Sequence, residues 1–215
     1  MSSRTLYGYW RSSAAYRVRI ALALKGLDYD YKGIDLRAGA QSGVGFKLLN
    51  PQGFVPYLID GEVGLNQSLA IIEFLDETRP EPPLLPQDAP GRARVRMLAQ
   101  MIACDIHPVN NLRVLTSLRT LFGAGDEDVA NWFRHWVNEG FQPLEKILTS
   151  SAETGTFCHG ETPGLADICL VAQVTSNARF GVDLTPYPTI ARIHAACMAL
   201  PAFQKAAPQN QIDAE

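Results

Sequence analysis

The feature of this sequence that most constrains its fold is a cluster of five prolines between Arg79 and Pro90. Proline has no N–H and restricts the residue before it, so neither a helix nor a central strand can continue through the cluster. The segment before it alternates strand and helix signals, whereas helical periodicity dominates the segment after it. We therefore predict an α/β domain over residues 1–80, a stiff linker over 81–90 and an all-helical domain over 91–215.

The first domain is predicted to be a β-α-β unit followed by a β-β-α unit. Asp60-Gly61 is a strong signal for the turn between two antiparallel strands. The predicted strands are 5–10, 29–36, 55–59 and 63–65, and the predicted helices are 13–25 and 68 to about 79. In the second domain helices are predicted at 91–121, 126–149, 165–181 and 189–200.

The first helix is predicted to begin with two hydroxyls. Ser12 and Ser13 are favourable N-cap residues, and Gly26 lies where a left-handed residue ends a helix. A helix N-terminus stabilises anions, including thiolates, and Arg11 adds a full positive charge beside it. This loop is therefore the first candidate for the chemistry.

Composition excludes several classes of function. A formal net charge of -3 argues against non-specific binding to nucleic acid. No apolar run approaches the roughly 18 residues of a membrane span, and no signal-peptide core is present, so a cytoplasmic protein is expected. The four cysteines and four histidines lack ligand spacing, so neither a metal site nor a disulfide is predicted.

Several segments resemble the zeta class of glutathione transferases. Residues 12–22, SSAAYRVRIAL, are similar to its signature S-S-C-S-W-R-V-R-I-A-L, and residues 50–56 resemble the N-P-x-x-x-V-P segment of the wider family. Gln67-Ser68 resembles the family's glutamine-serine pair, and residues 201–206 resemble P-x-F-x-x-A. The resemblance covers nearly the whole chain. It implies a thioredoxin-like N-terminal domain with a cis bond at Pro56, a C-terminal helical bundle and a homodimer.

The resemblance also implies reduced glutathione as the cofactor. Val55 would pair its backbone with the cysteine of glutathione, while Gln67 and Ser68 would hold its γ-glutamyl carboxylate. Gln41 matches a contact to the glycyl end. His107 and Asn111, four residues apart, would share one helix face. The full set of expected glutathione contacts is Ser12, Ser13, Gln41, Val55, Pro56, Gln67, Ser68, His107 and Asn111.

The activity implied is glutathione-dependent cis–trans isomerisation of a small diketo dicarboxylate. The first expectation is the conversion of maleylpyruvate to fumarylpyruvate in gentisate-type catabolism of aromatic compounds. The expected steps are thiolate addition, bond rotation and elimination. Ser12, Ser13 and Arg11 would be catalytic. Arg11 and Arg179 would bind the two substrate carboxylates, although Arg179 is also placed to complement its own helix dipole. Ala14 replaces the signature cysteine, so the attacking sulfur must come from the cofactor.

Other interpretations stay open at this stage. The same chemistry would suit a maleylacetoacetate isomerase, and a transferase or dehalogenase acting on small α-halo acids is a third interpretation. A non-catalytic glutathione-binding module would carry the same serines and arginines. Arg17 and Arg19 are expected to pair with carboxylates or to hold the first helix in place. Asp167 is expected to cap the helix that begins after Gly164, a role in stability.

Overall fold

The computed structural model describes residues 4–215 and divides them into two compact units. The first contains residues 4–84 together with 199–215, and the second contains residues 85–198. The division after Leu84 falls within the proline cluster, where the chain cannot form a regular element.

The first unit is built on a four-stranded sheet with strand order β2-β1-β3-β4. β1 pairs in parallel with β2 and antiparallel with β3, and β3 pairs antiparallel with β4. The elements are β1 Arg4–Gly8, α1 Ser13–Leu24, β2 Asp30–Gly33, a 3-10 turn Ala40–Ser42, α2 Val44–Leu49, β3 Tyr57–Asp60, β4 Val63–Asn66, α3 Ser68–Thr78 and α9 Pro201–Ala206. The β-α-β and β-β-α order expected from the sequence is therefore present.

Local signals determine where α1 begins and ends. The Ser12 side chain accepts a hydrogen bond from the Ala15 N–H and caps the helix. Lys25 is the C-cap, and Gly26 follows with φ 62°, a conformation that a side chain would disfavour. Tyr16 and Ile20 are fully buried, and so are Val18, Ala21 and Leu22, so this helix is buried on more than one face.

The final segment of the chain packs against α1. The Tyr16 hydroxyl donates to the Phe203 carbonyl at 3.1 Å, and Arg19 Nε donates to the Ala206 carbonyl at 3.0 Å. Phe203 is fully buried. Residues 199–215 consequently group with the first unit rather than with the helices that precede them.

The second unit is helical. Its elements are α4 Ala89–Gln100, a π-helical segment Met101–Ile106, α5 Leu112–Phe122, α6 Asp126–Ser150, α7 Leu165–Asn177, a 3-10 turn Ala178–Phe180 and α8 Pro188–Met198. α7 is buried along almost its whole length and forms the centre of this unit. Asp167 accepts hydrogen bonds from the N–H groups of Gly164 and Cys158 at 2.9 and 2.8 Å, which confirms its predicted capping role.

The prediction of one continuous helix over 91–121 is wrong. The helix ends at Gln100, continues as a π-helical segment to Ile106 and gives way to a turn before α5. Pro108 has no N–H to continue the helical pattern, and Asn111 has extended backbone and caps α5 with its side chain.

The strand predicted at 55–59 begins two residues late, at Tyr57, because Val55 and Pro56 lie outside the ladder. Within residues 4–215, no helix is both long enough and apolar enough to cross a bilayer.

Candidate functional site

Three predicted site segments meet at one edge of the sheet. Tyr7 at the end of β1 pairs with Tyr57 at the start of β3, and Tyr57 pairs with Asn66 at the end of β4. The loop after β1, the segment before β3 and the residues after β4 therefore leave the sheet at the same end. α1 and α3 both begin there, so two helix N-termini with their free N–H groups share this edge.

The start of α1 holds the two predicted serines. Ser12 has extended backbone, and its Oγ accepts from the Ala15 N–H at 3.2 Å. Because that oxygen faces the helix, the hydroxyl proton is directed away from it and can be donated to an anion. Ser13 is the first helical residue and does not cap the helix.

Arg11 lies next to these hydroxyls with its charge supported by aromatic rings. Its guanidinium carbon is 5.1 Å from the centroid of the Trp10 ring and 6.0 Å from that of Tyr9. Arg11 Nε is buried and has no hydrogen-bond partner. An unsatisfied buried donor is costly, so this group is suited to an incoming anion.

Arg19 and Asp213 hold this loop, and of the two only Asp213 had no role assigned from the sequence. Arg19 donates to the carbonyls of Tyr9 and Trp10, so it fixes backbone rather than pairing with a carboxylate. Asp213, near the end of the chain, accepts from the Trp10 N–H at 3.1 Å and from the Tyr31 hydroxyl at 3.0 Å. Burial and the nearby Asp213 charge raise the pKa of Tyr31, so its proton stays in this hydrogen bond.

The segment before β3 presents open backbone. The Val55-Pro56 bond is cis, and both residues are buried. Among residues 4–215, the N–H and C=O of Val55 take part in no described backbone hydrogen bond, so they can pair with an extended peptide. Asn50, fully buried, holds this turn by donating to the Phe54 carbonyl at 2.7 Å. Sequence reasoning quoted Asn50 only as part of a motif.

The start of α3 is open to an anion. Gln67 has φ 67°, the one positive φ of a non-glycine residue within 4–215, and its side chain does not cap the helix. The Gln67 side chain instead donates to Gln52 at 3.0 Å. Ser68 is the first helical residue and is buried, and its Oγ accepts from Arg17 Nη1 at 3.4 Å. Strained backbone of this kind concentrates at ligand sites.

The remaining predicted residue of the first unit is Gln41. It lies in the 3-10 turn Ala40–Ser42, and its Oε1 is buried without a hydrogen-bond partner. This acceptor is free for a ligand N–H, whereas a carboxylate at the glycyl end would need a donor such as Gln41 Nε2.

The predicted residues of the second unit are arranged differently from the expectation. His107 and Asn111 do not share a helix face, because residues 107–110 form a turn and Asn111 begins α5. Asn111 Oδ1 accepts from the Arg113 N–H at 3.1 Å, a capping role that its position after Pro108 could have indicated.

Arg179, the other predicted residue of the second unit, is exposed in the 3-10 turn Ala178–Phe180. Its guanidinium carbon lies 5.4 Å from the centroid of the Phe180 ring. Across residues 4–215, no three His, Cys, Asp or Glu side chains are grouped to hold a metal ion.

The fold and this edge define a class of protein: a thioredoxin-like unit with two helix N-termini at one open edge of its sheet, followed by a helical unit. The glutathione S-transferase N-terminal domain model matches residues 2–77. A probable maleylacetoacetate isomerase of Vibrio cholerae is 52% identical over 216 residues, which covers 100% of both chains. The chain belongs to the glutathione S-transferase family, and within it to the zeta class.

Solved structures agree with this membership. A holo maleylpyruvate isomerase, described as a bacterial zeta-class glutathione S-transferase, has a TM-score of 0.97 and 48% identity, covering 98% of this chain and 100% of its own. A maleylacetoacetate isomerase of Methylobacterium extorquens, crystallised with malonate and glutathione, has a TM-score of 0.95 and 44% identity and covers 98% and 99%. The predictions of family, fold and glutathione as the family's cofactor are confirmed.

Proposed function

We propose that this protein is a glutathione-dependent cis–trans isomerase of maleyl diketo acids, acting on maleylpyruvate. The observation that carries the proposal is the open edge of the first unit. There two helix N-termini, the Ser12 hydroxyl and Arg11 lie at one edge of the sheet. Relatives that match almost the whole chain bear isomerase names of this type.

The residues present fit glutathione at that edge. Val55 offers an unpaired N–H and C=O for the peptide backbone, Gln41 offers a free acceptor, and the uncapped start of α3 offers N–H groups for a carboxylate. These groups match the three parts of a tripeptide with a γ-glutamyl end. Orphaned buried atoms of this kind indicate a missing polar ligand.

When bound, glutathione supplies a thiolate that can add to the cis double bond and leave after the bond has rotated. Ser12 donates a hydrogen bond to the sulfur, and the N-terminus of α1 stabilises its negative charge. A thiol pKa lowered by two units corresponds to about 2.7 kcal/mol of preferential stabilisation of the thiolate. Because Ala14 carries no thiol, no residue of this loop competes with the cofactor sulfur.

The substrate carries two carboxylates, and the proposal assigns a cation to each. Arg11 Nε is a buried donor without a partner, so it can bind one carboxylate and support charge developing on the adjacent carbonyl oxygen. Arg179 presents an exposed guanidinium and is proposed for the other. The malonate bound with glutathione in the Methylobacterium extorquens relative supports a dicarboxylate.

The decisive assay follows the loss of maleylpyruvate absorbance by the purified protein, with and without glutathione. A rate that requires glutathione supports the isomerase. If no glutathione-dependent rate is measured, the isomerase proposal is refuted and the non-catalytic glutathione-binding module is favoured. The 52% identical relative carries a maleylacetoacetate name, so maleylacetoacetate is the second candidate substrate. A much larger kcat/KM for maleylacetoacetate would transfer the proposal to that acid.

The substrate cations are tested separately. Arg11→Ala and Arg179→Ala should each raise KM for the diketo acid about tenfold or more, since each removes a charged hydrogen bond. Arg119→Ala is the matched control, because Arg119 is a half-exposed arginine that pairs with Asp126. A KM like that of the wild type in either test variant would remove that residue from the proposed site.

A further inference from the structure

Arg17 is a buried cation without a counter-charge. It is 2% exposed, and its one described hydrogen bond runs from Nη1 to Ser68 Oγ at 3.4 Å. Nε and Nη2 are buried and have no partner. No salt bridge described within residues 4–215 includes this guanidinium, so of the two roles expected for Arg17, only that of holding the first helix in place stays open.

The other buried cations of the first unit are satisfied. Arg4 pairs with Asp60 at 3.2 Å, and Lys25 pairs with Asp76 at 2.9 Å. Arg19 donates to three backbone carbonyls. An unpaired buried charge costs several kcal/mol even after relaxation. Arg17 therefore differs from its neighbours in lacking the partner that would offset this cost.

The neighbouring helix start is also unsatisfied. α1, α4 and α5 are capped by side-chain oxygens of Ser12, Asp88 and Asn111, but no side chain caps α3. The free N–H groups of α3 and the uncompensated charge of Arg17 thus occur at one place, joined by Ser68. One bound anion would accept hydrogen bonds from these N–H groups and supply a counter-charge to Arg17.

We infer that Arg17 is a positioning residue for the γ-glutamyl carboxylate, acting through Ser68 from beneath the start of α3. This inference rests on the proposed glutathione site. Arg17 occupies the Ser68 oxygen as an acceptor, so the Ser68 proton is directed to the bound carboxylate. The carboxylate in turn supplies the counter-charge that the protein itself does not.

The test combines variants with two ligands. Arg17→Met removes the charge at similar length, Arg17→Lys keeps it, and Arg4→Met is the control for a buried arginine that is paired elsewhere. The ligands are glutathione and its α-amide analogue, in which the free α-carboxylate of the γ-glutamyl residue is a carboxamide. Dissociation constants are measured by titration calorimetry, and the Tm of the unliganded protein is measured alongside.

Arg17→Met should weaken glutathione binding about tenfold or more, but weaken binding of the α-amide analogue less than about twofold. Arg17→Lys should recover most of the loss. The Tm of unliganded Arg17→Met should stay level or rise, because an apolar side chain replaces an unpaired buried charge. Arg4→Met should lower Tm and leave both dissociation constants unchanged.

An equal loss for both ligands would overturn the inference, as would a lower Tm with unchanged glutathione affinity. If Arg17→Met does not fold, the role is structural unless Arg17→Gln, compared in the same way, shows the selective loss. A wild-type protein that binds neither ligand would instead refute the proposed function.

Discussion

Replacing Ser12 with alanine tests two roles of one hydroxyl, which are capping of α1 and the proposed hydrogen bond to the cofactor sulfur. Ser12 Oγ accepts from the Ala15 N–H at 3.2 Å, so its loss removes the cap of α1. Loss of such a cap costs about 1 kcal/mol, which lowers Tm by roughly 2–4 °C in a chain of this length. Ser13→Ala should leave Tm nearly unchanged, because Ser13 does not cap the helix.

The chemical effect of Ser12→Ala is predicted on the pKa of the bound cofactor thiol. A hydrogen bond to a charged group contributes about 1.5–3 kcal/mol, and one pKa unit corresponds to about 1.4 kcal/mol. Removing the donor should therefore raise the thiol pKa by about 1–2 units. The assay is a pH titration of the thiolate absorbance of glutathione bound at saturation, together with the acidic limb of the kcat/KM profile. The pKa from the absorbance titration and the apparent pKa of the acidic limb should rise by the same amount.

Ser12→Thr keeps the hydroxyl and should restore both Tm and the thiol pKa. A shifted thiol pKa in Ser13→Ala with none in Ser12→Ala would assign the sulfur contact to Ser13. A lowered Tm in Ser12→Ala without any change in the thiol pKa would restrict Ser12 to capping.

Three further predictions concern stability and the strained start of α3. Asp167→Ala should lower the free energy of unfolding by about 2–4 kcal/mol, seen in urea titrations, because it leaves the buried N–H groups of Cys158 and Gly164 without an acceptor; a loss below about 1 kcal/mol would contradict this. Burial lowers the pKa of His194, so the unfolded chain binds its proton first, and stability should fall as pH drops below about 6.5. His194→Gln should show a smaller fall between pH 7.5 and 5.5, and an unchanged slope would refute the assignment. Gln67→Gly should raise the stability of the unliganded protein by up to about 2 kcal/mol by relieving the strain at φ 67°, while weakening glutathione binding; a lower Tm would show that the residue is not strained.

Local signals predicted the elements whose ends depend on single residues. The cap at Ser12 and the left-handed Gly26 are confirmed, and the predicted hairpin is present with its turn at Gly61-Glu62, one residue later than expected, because each of these signals acts within a few residues of chain. The helix predicted over 91–121 failed since its apolar periodicity continues past Pro108, whereas backbone hydrogen bonding does not.

Contacts distant in sequence left no such signal. Arg17 and Ser68 are 51 residues apart, and Trp10 and Asp213 are 203 apart. Nothing in the residues around Arg17 distinguishes it from Arg19, yet Arg17 has one described hydrogen bond, to Ser68, whereas Arg19 donates to three backbone carbonyls. Their difference arises only when β1, β3 and β4 bring α1 and α3 to the same edge of the sheet.

In the proposed site, the two helices at that edge have different roles in binding one tripeptide. α1 is capped by its own Ser12, so its start is held in place without a ligand, and the hydroxyl proton is left free for donation. α3 has no cap, a strained Gln67 and a charge at Arg17 that the protein leaves uncompensated. In the proposed site a ligand carboxylate supplies the missing counter-charge and helix cap only when it binds, so part of its affinity derives from these unsatisfied groups in the free protein. Specificity for the γ-glutamyl end and stability of the unliganded first unit are therefore expected to change in opposite directions when residues at the start of α3 are substituted.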